Sequence, residues 1–484
     1  MKLSRLLEPL HGTEAVQDVE ITDIVYDSRK AKPGCAFVCM RGSASDGHKY
    51  AAGAVKAGAV AVIAEEPVEA PGAQVVLVPD TRKALALMSA VFFGRPAEGE
   101  IRVIGVTGTK GKTTTAYMIR SILESAGYKT GIIGTIGVLI GEELLETENT
   151  TPMSYDIQMY LRRMADAGCA YCVMEASSIG LRDLRVYGFP LAVGVFTNFS
   201  EDHIGGVEHK DMQEYLESKA KLFSLCKIGV LNRDDPNFTG ILQNHTCHVK
   251  TYGLEQPADL QGSNCRHFSK PGFLGIAFEV SGEESFTAEV DIPGRFNAYN
   301  ALAAIGACHE LGIPAEAMKQ GLSTVKVKGR VEPVPVPGNY TVLLDYAHNG
   351  VGMENILTTL REYQPKRLIC LFGAGGNRPK VRRYEMGEVA GRLADLSVIT
   401  ADNSRYENVE DILADIKVGM AKTKGRYVEI PDRREAIRWC LENAQEGDVI
   451  VLAGKGHETY QEIQGEKRPF DERVVIREIL EGKG

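Results

Sequence analysis

The residues best suited to chemistry cluster first at Thr107-Gly108-Thr109-Lys110-Gly111-Lys112-Thr113-Thr114-Thr115. Glycines let backbone N–H groups approach phosphate oxygens, and a helix N-terminus adds favourable partial charge. Lys112 can reach the β- and γ-phosphates of a nucleoside triphosphate, and the Thr113 hydroxyl suits Mg²⁺. Gly108, Thr109, Lys110, Gly111 and Thr114 complete the cradle. The spacing is the short G-x-x-G-K-T form, because Val106 occupies the place of the first glycine in the longer motif. A strand-like run, Arg102–Val106, precedes the loop. A helical pattern follows, with Met118, Ile119, Ile122 and Leu123 on one face. The plainer alternative is a glycine-rich turn that holds nothing.

A bound triphosphate brings Mg²⁺, which prefers hard oxygen ligands. Glu175 closes the apolar run Cys172-Val173-Met174 and is a candidate ligand; the alternative is a cap on the next helix. His203 is a second candidate, although a lone histidine serves as readily in a structural role. Lys219 sits in the helical stretch 211–221, and by itself it reads as a solvated surface lysine.

These residues need elements to position them. Apolar runs at Ile101–Thr107, Tyr171–Ala176, Leu191–Thr197, Gly229–Asn232, Val342–Asp345, Leu368–Phe372, Leu396–Thr400 and Val449–Ala453 alternate with amphipathic stretches. That alternation predicts an α/β fold with mostly parallel strands. Ligands of open α/β sheets bind beyond the carboxyl ends of the strands. The polar segments after these runs, from Gly108–Thr114 to Gly454–Glu458, fall at those ends. Breaks at Gly94–Gly99 and at Val331–Gly338, where three prolines favour an extended linker, divide the 484 residues into domains at 1–98, 99–332 and 333–484.

Composition bounds the function. A chain 44% hydrophobic and 25% charged is globular and not disordered. The net charge of −9 argues against nucleic acid as a partner. No run is long and apolar enough for a membrane span, and the first residues lack the apolar stretch of a secretion signal. The 10 cysteines, several in apolar runs, read as buried free thiols of a cytoplasmic protein.

Taken together and in order, the motifs resemble those of the Mur ligase family, over nearly the whole chain. They are Asp27-Ser28-Arg29, Asp46-Gly47, the 107–114 loop, Asn149-Thr150-Thr151, Glu175-Ala176-Ser177-Ser178, Thr197-Asn198 with Asp202-His203, Lys219, Pro293–Asn297 with Asn300-Ala301, Gly329-Arg330, Asp345–His348, Gly375-Gly376, Asp402–Arg405 and Gly454–Glu458. The match is best with the branch that adds the third residue of the peptidoglycan stem peptide, a step that serves cell-wall growth, shape and division.

The resemblance implies an N-terminal α/β domain for the UDP-sugar, a central P-loop parallel-sheet domain for ATP and a Rossmann-like C-terminal domain for the amino acid. It implies that Lys219 is carbamylated and joins Thr113, Glu175 and His203 around Mg²⁺. Asn297, Arg330 and Asp345 would contact ATP. Ser28, Ser43, Ala44, Ser45, Asn149, Thr150, Thr151, Ser177 and Arg185 would hold UDP-N-acetylmuramoyl-dipeptide. The diamino acid would meet Arg383, Asp402, Asn403, Arg405, Gly454 and Glu458. Three departures stand out: Ile179 where histidine is frequent, Asp183 where glutamine is common, and Ser404 where the diaminopimelate motif has proline.

The expected reaction is ATP-driven amide formation through an acyl phosphate, with Lys112, Lys219, His203 and Arg330 as the catalytic set. The kept Arg405 favours meso-diaminopimelate, whose distal carboxylate it can pair, over L-lysine; a paralogue ligating another amino acid is the further alternative. Three substrates on a monomer imply closure of the C-terminal domain about the proline-rich linker.

Overall fold

A computed structural model describes residues 1–10, 17–42, 45–201, 204–205, 208–270 and 272–482. Ser43, Ala44 and His203 lie outside the described residues. The chain forms two compact units. The first comprises Met1–Gln261, Gly282–Glu284 and Leu302–Gly321; the second comprises Gly262–Ser281, Ser285–Ala301 and Leu322–Gly484.

The first unit holds two sheets. Strands Asp23–Val25, Cys35–Val38, Ala61–Ala64 and Gln74–Leu77 pair in parallel in that order. The inner two are wholly buried apolar runs, as a sheet covered on both faces requires. Hydroxyl–carboxylate bonds link this part to the Ser154–Asp166 helix: Tyr26 donates to Asp156 at 2.5 Å, and Tyr155 donates to Asp23 at 2.6 Å.

In the second sheet the parallel order is His248–Gly253, Cys226–Asn232, Leu191–Phe196, Arg102–Thr107, Tyr171–Glu175, Thr130–Gly134. Arg102–Thr107 comes first in sequence, and later strands are laid down on both of its sides. It is therefore the topological switch point, where ligands of such sheets bind. The helix that follows its loop, Lys112–Ser125, buries Met118, Ile119, Ile122 and Leu123 completely, as the spacing predicts.

The second unit carries parallel strands Thr341–Asp345, Asp448–Ala453, Arg367–Phe372, Leu396–Ile399 and Tyr427–Glu429 in that spatial order. Every apolar run named from sequence is a strand, within a residue or three at its ends. The proline-rich segment is a correction. Glu332–Val334 is not free linker but an antiparallel edge strand on Thr341–Asp345. An edge position tolerates Pro333, because its missing N–H deprives no neighbour.

All ten cysteines are free, and all but Cys265 are buried. They include Cys169 and Cys172, whose C-x-x-C spacing the reading of unpaired thiols passes over.

Candidate active site

The glycine loop leaves its strand through Gly108 (φ +148°) and enters its helix through Gly111 (φ +85°). A Cβ on Gly108 would stand 1.9 Å from Thr197 Oγ1, so no other residue fits there. The neighbouring strand end braces the loop. Thr197 Oγ1 donates to the Lys110 carbonyl at 2.7 Å, and the Asn198 amide holds both the Lys110 N–H (2.9 Å) and its carbonyl (3.0 Å). The Tyr215 hydroxyl donates to Thr109 Oγ1 at 3.2 Å.

Two lysines converge on this loop. Lys112 Nζ donates to the carbonyls of Gly108 (2.9 Å) and Thr109 (3.0 Å). Lys219 Nζ donates to the same Gly108 carbonyl at 2.9 Å and lies over the Tyr215 ring. Lys219 is 1% exposed. The reading of Lys219 as a solvated surface lysine is thus wrong. The helix Met212–Ala220 turns Tyr215, Ser218 and Lys219 inward against the loop.

Glu175 is also buried at its strand end. It accepts from Thr113 Oγ1 (3.0 Å), from the Thr135 N–H (3.0 Å) and from Thr135 Oγ1 (3.0 Å). It caps no helix: Ser177 does, accepting from the Gly180 N–H. The pairing of a threonine hydroxyl with a carboxylate beside the loop is an all-oxygen donor set, the chemistry Mg²⁺ selects. Two other His/acid groups occur among the described residues, Asp46–His48–Glu66 and Glu283–His309–Glu310. In the first, both ring nitrogens of His48 are already engaged, by Asp46 and the Glu65 N–H. In the second, Lys250 pairs with both glutamates.

The expected sugar-nucleotide residues are joined by bonds beside Glu175. Thr151 Oγ1 donates to the Glu175 carbonyl (2.8 Å) and lies 2.9 Å from Ser177 Oγ. Thr150 Oγ1 meets Thr135 Oγ1 at 3.1 Å. Arg185 donates to the Thr151 carbonyl at 3.0 Å and keeps a buried Nε without a partner among the described residues. Burial lowers the Arg185 pKa. Asp183 accepts from Arg182 Nε at 3.0 Å and stands 3.5 Å from Arg185 Nη2. Asn149 is exposed. Ser28 opens a short 3-10 turn capped by Asp27, and Ser45 is exposed; neither is joined to the Thr151 cluster by a bond.

Asn297, Arg330 and Asp345 belong to the second unit. Asn297 is buried and bonded to the Pro293 carbonyl and to Asn300. Asp345 accepts from the Val331 and Ala347 N–H groups, and burial raises its pKa against the pull of Arg330. The Arg330 guanidinium lies over the Tyr346 ring at 5.2 Å.

The C-terminal sheet has its own switch point between Asp448–Ala453 and Arg367–Phe372, and a pocket opens where those strands end. Arg383, Asp402, Asn403, Arg405, Gly454 and Glu458, all expected to meet the amino acid, line this one pocket together with Tyr346, His348, Arg378 and Arg382. It carries both signs of charge. Arg383 is fully buried and pairs with Asp415 (2.9 Å) and Glu407 (2.8 Å). Burial works against its charge, but the two carboxylates outweigh it and raise the pKa. Glu458 accepts from Asn403 Nδ2 at 2.9 Å and from Lys455 Nζ at 3.1 Å.

Sequence reasoning missed Lys455, which is 0% exposed beneath the pocket. Its position inside the quoted Gly454–Glu458 segment was the available signal. The Ser404 departure has a structural answer. The Gly376 N–H donates to the Asn403 carbonyl at 2.8 Å, and a Cβ on Gly376 would meet the Ser404 carbonyl at 1.9 Å. Close docking on a glycine supplies the stiffness that a proline would lend.

A phosphate loop at one switch point and a doubly charged pocket at another define an α/β nucleotide-dependent enzyme with a small zwitterionic second substrate. Family models agree on which one. "Mur ligase family, catalytic domain" matches 20–93, "Mur ligase middle domain" matches 106–308, and "Mur ligase, glutamate ligase domain" matches 329–456. A UDP-N-acetylmuramoyl-L-alanyl-D-glutamate--2,6-diaminopimelate ligase of Caldanaerobacter subterraneus subsp. tengcongensis is 43% identical over 484 residues, 99% of each chain. One from Clostridium perfringens is 42% identical over 98% of each. A solved structure of a ligase of the same description matches with TM-score 0.74 and 31% identity over 98% of each chain. The chain belongs to the Mur ligase family.

Proposed function

We propose that the chain joins meso-diaminopimelate to UDP-N-acetylmuramoyl-L-alanyl-D-glutamate in an ATP-driven reaction of peptidoglycan precursor synthesis. The observation that carries this reading is the C-terminal pocket, where Arg405 and the Asp402/Glu458 carboxylates face one small cavity. A diamino dicarboxylic acid offers a carboxylate to the first and an ammonium to the second. A guanidinium pairs with a carboxylate through two parallel hydrogen bonds. L-Lysine has no distal carboxylate and would leave the ligand-facing part of that guanidinium without its hydrogen-bond partner, at a cost of about 1–3 kcal/mol.

In the reaction, a carboxylate oxygen of the D-glutamate attacks the γ-phosphorus and ADP leaves. The amine of the third residue then attacks the acyl carbonyl, loses a proton, and inorganic phosphate departs. Negative charge gathers at one centre in both steps. Lys112 releases its loop carbonyls to meet the phosphates, and Arg330 brings a second cation. Thr113 and Glu175 would hold Mg²⁺, with His203 and a modified Lys219. Bound Mg²⁺ neutralises charge on the phosphate oxygens.

Lys219 is read as a carbamate: its neutral amine adds CO₂ and releases a proton, which turns a buried cation beside Gly108 into an oxygen ligand. Thr150, Thr151, Ser177 and Arg185, with Ser28, Ser43, Ala44, Ser45 and Asn149, hold the UDP-sugar. Domains at 1–98, 99–332 and 333–484 each take one substrate, on one cytoplasmic chain. None of the helices among the described residues is long and apolar enough to cross a membrane.

The test is a product mass measurement with UDP-N-acetylmuramoyl-dipeptide, ATP and an equimolar mixture of diaminopimelate and lysine. The diaminopimelate adduct is expected to dominate; a dominant lysine adduct, or phosphate release that needs no amino acid, contradicts the reading.

A further inference from the structure

Strands Tyr460–Ile463 and Glu466–Pro469 form a two-stranded sheet of their own, apart from the six-stranded sheet, with one parallel bridge from Ile463 to Arg405. A two-stranded hairpin is marginally stable by itself, so what it docks on matters. It docks on Arg405. The Arg405 N–H donates to the Glu462 carbonyl at 2.9 Å, and the Gln464 N–H donates to the Arg405 carbonyl at 2.6 Å. Arg405 Nε donates to Glu462 Oε2 at 3.1 Å. The Glu462 N–H in turn donates to Asn403 Oδ1 at 3.0 Å.

Arg405 needs such support. Its φ is +51°, the left-handed region that a residue with a side chain enters only when its surroundings hold it there. Its side chain is held as well. With Nε on Glu462 and Nη1 on the Gly376 carbonyl (2.7 Å), the guanidinium plane is fixed, and Nη2 has no hydrogen-bond partner among the described residues. A long side chain immobilised before the ligand arrives loses little rotamer entropy on binding.

We infer that Glu462 is a positioning residue for Arg405, through which the 460–469 hairpin sets the enzyme's preference for an amino acid with a distal carboxylate. The inference rests on the reading that this pocket takes the diamino acid. Glu462 acts on the substrate only through Arg405. Its loss therefore weakens capture of diaminopimelate and leaves the ATP and UDP-sugar sites untouched.

Four variants test this: Glu462→Ala, Glu462→Gln, Arg405→Ala and the Glu462→Ala/Arg405→Ala double. Glu462→Ala is expected to raise KM for diaminopimelate by about 10- to 100-fold. The KM values for ATP and UDP-dipeptide, and kcat at saturating amino acid, stay near those of the parent. Glu462→Gln keeps an acceptor for Nε and the side-chain shape, so its effect is smaller, and it guards against misfolding of the alanine variant. In the Arg405→Ala background, Glu462→Ala adds nothing further.

An unchanged diaminopimelate KM in both Glu462 variants, a KM rise shared by all three substrates, or full additivity in the double variant overturns the positioning role. If Arg405→Ala raises KM while the Glu462 variants do not, only positioning fails. If Arg405→Ala also leaves KM unchanged, the assignment of the pocket fails with it.

Discussion

Gly108 shows how much one position can carry. It has a φ that disfavours side chains and no room for a Cβ beside Thr197. Gly108→Ala is therefore expected to cut kcat/KM for ATP by at least about 100-fold, while the Cys226–Asn232 half of the sheet keeps its hydrogen-exchange protection. A variant with parental ATP kinetics would contradict the fit. Lys219→Ala is expected to be inactive and to regain activity with added short carboxylic acids, since they return the oxygen that the proposed carbamate would supply. Absence of rescue, with ATP still binding, would remove the carbamate from the account.

His457 is the residue with a pH signature. Burial, reinforced by Arg330, Lys328 and Arg473, pulls its pKa from 6.5 to about 4. Its ring packs 4.7 Å from Tyr346. As pH falls below 6.5, the unfolded chain takes up a proton that the folded chain refuses until about pH 4. The stability His457 contributes is thus present above 6.5 and lost progressively across that window. Unfolding midpoints measured from pH 7 to 4 should decline less steeply in His457→Gln than in the parent, and parallel slopes would contradict the assignment.

At the scale of elements, a buried ion pair ties two helices of the C-terminal part. Arg433, at the start of Arg433–Glu442, and Glu472, at the start of Glu472–Leu480, meet at 2.8 Å with both side chains at 1% exposure or less. Arg433 also donates to the Ala401 and Ala453 carbonyls, at the strand ends that bear Asp402 and Gly454. Removing one partner strands the other charge. Arg433→Met is expected to destabilise this unit by about 3–5 kcal/mol, and the Arg433→Met/Glu472→Leu pair to recover much of that. Denaturant unfolding followed by exchange in the two helices measures both.

The same scale explains what was legible from sequence. Buried parallel strands are unbroken apolar runs, so their ends, and with them Glu175, Asp345, Asp402 and Gly454, could be found one residue at a time. Lys219 could not. Its helix is rich in charge, and nothing in the local pattern says which face turns inward. Lys455 and Glu462 were hidden for another reason: their partners Asn403 and Arg405 lie more than fifty residues away in the chain, and such pairings leave no periodic trace. The proline-rich segment misled because prolines suggest a break, whereas an edge strand accommodates them.

For the whole molecule, the proposed reaction brings three substrates together around an acyl phosphate that water would destroy. Closure on ATP and UDP-dipeptide would align the reactants and exclude solvent. Small-angle scattering is expected to show a smaller radius of gyration when both are present than with neither; superimposable curves would contradict closure.

The central claim is that a stem-peptide carboxylate is phosphorylated and then captured by an amine. It is tested most directly by labelling the D-glutamyl carboxylate of UDP-N-acetylmuramoyl-dipeptide with ¹⁸O and weighing the inorganic phosphate released on ligation with diaminopimelate. One ¹⁸O per phosphate is the predicted result, since the acyl oxygen leaves on phosphorus; unlabelled phosphate accompanying a full yield of tripeptide would contradict the account.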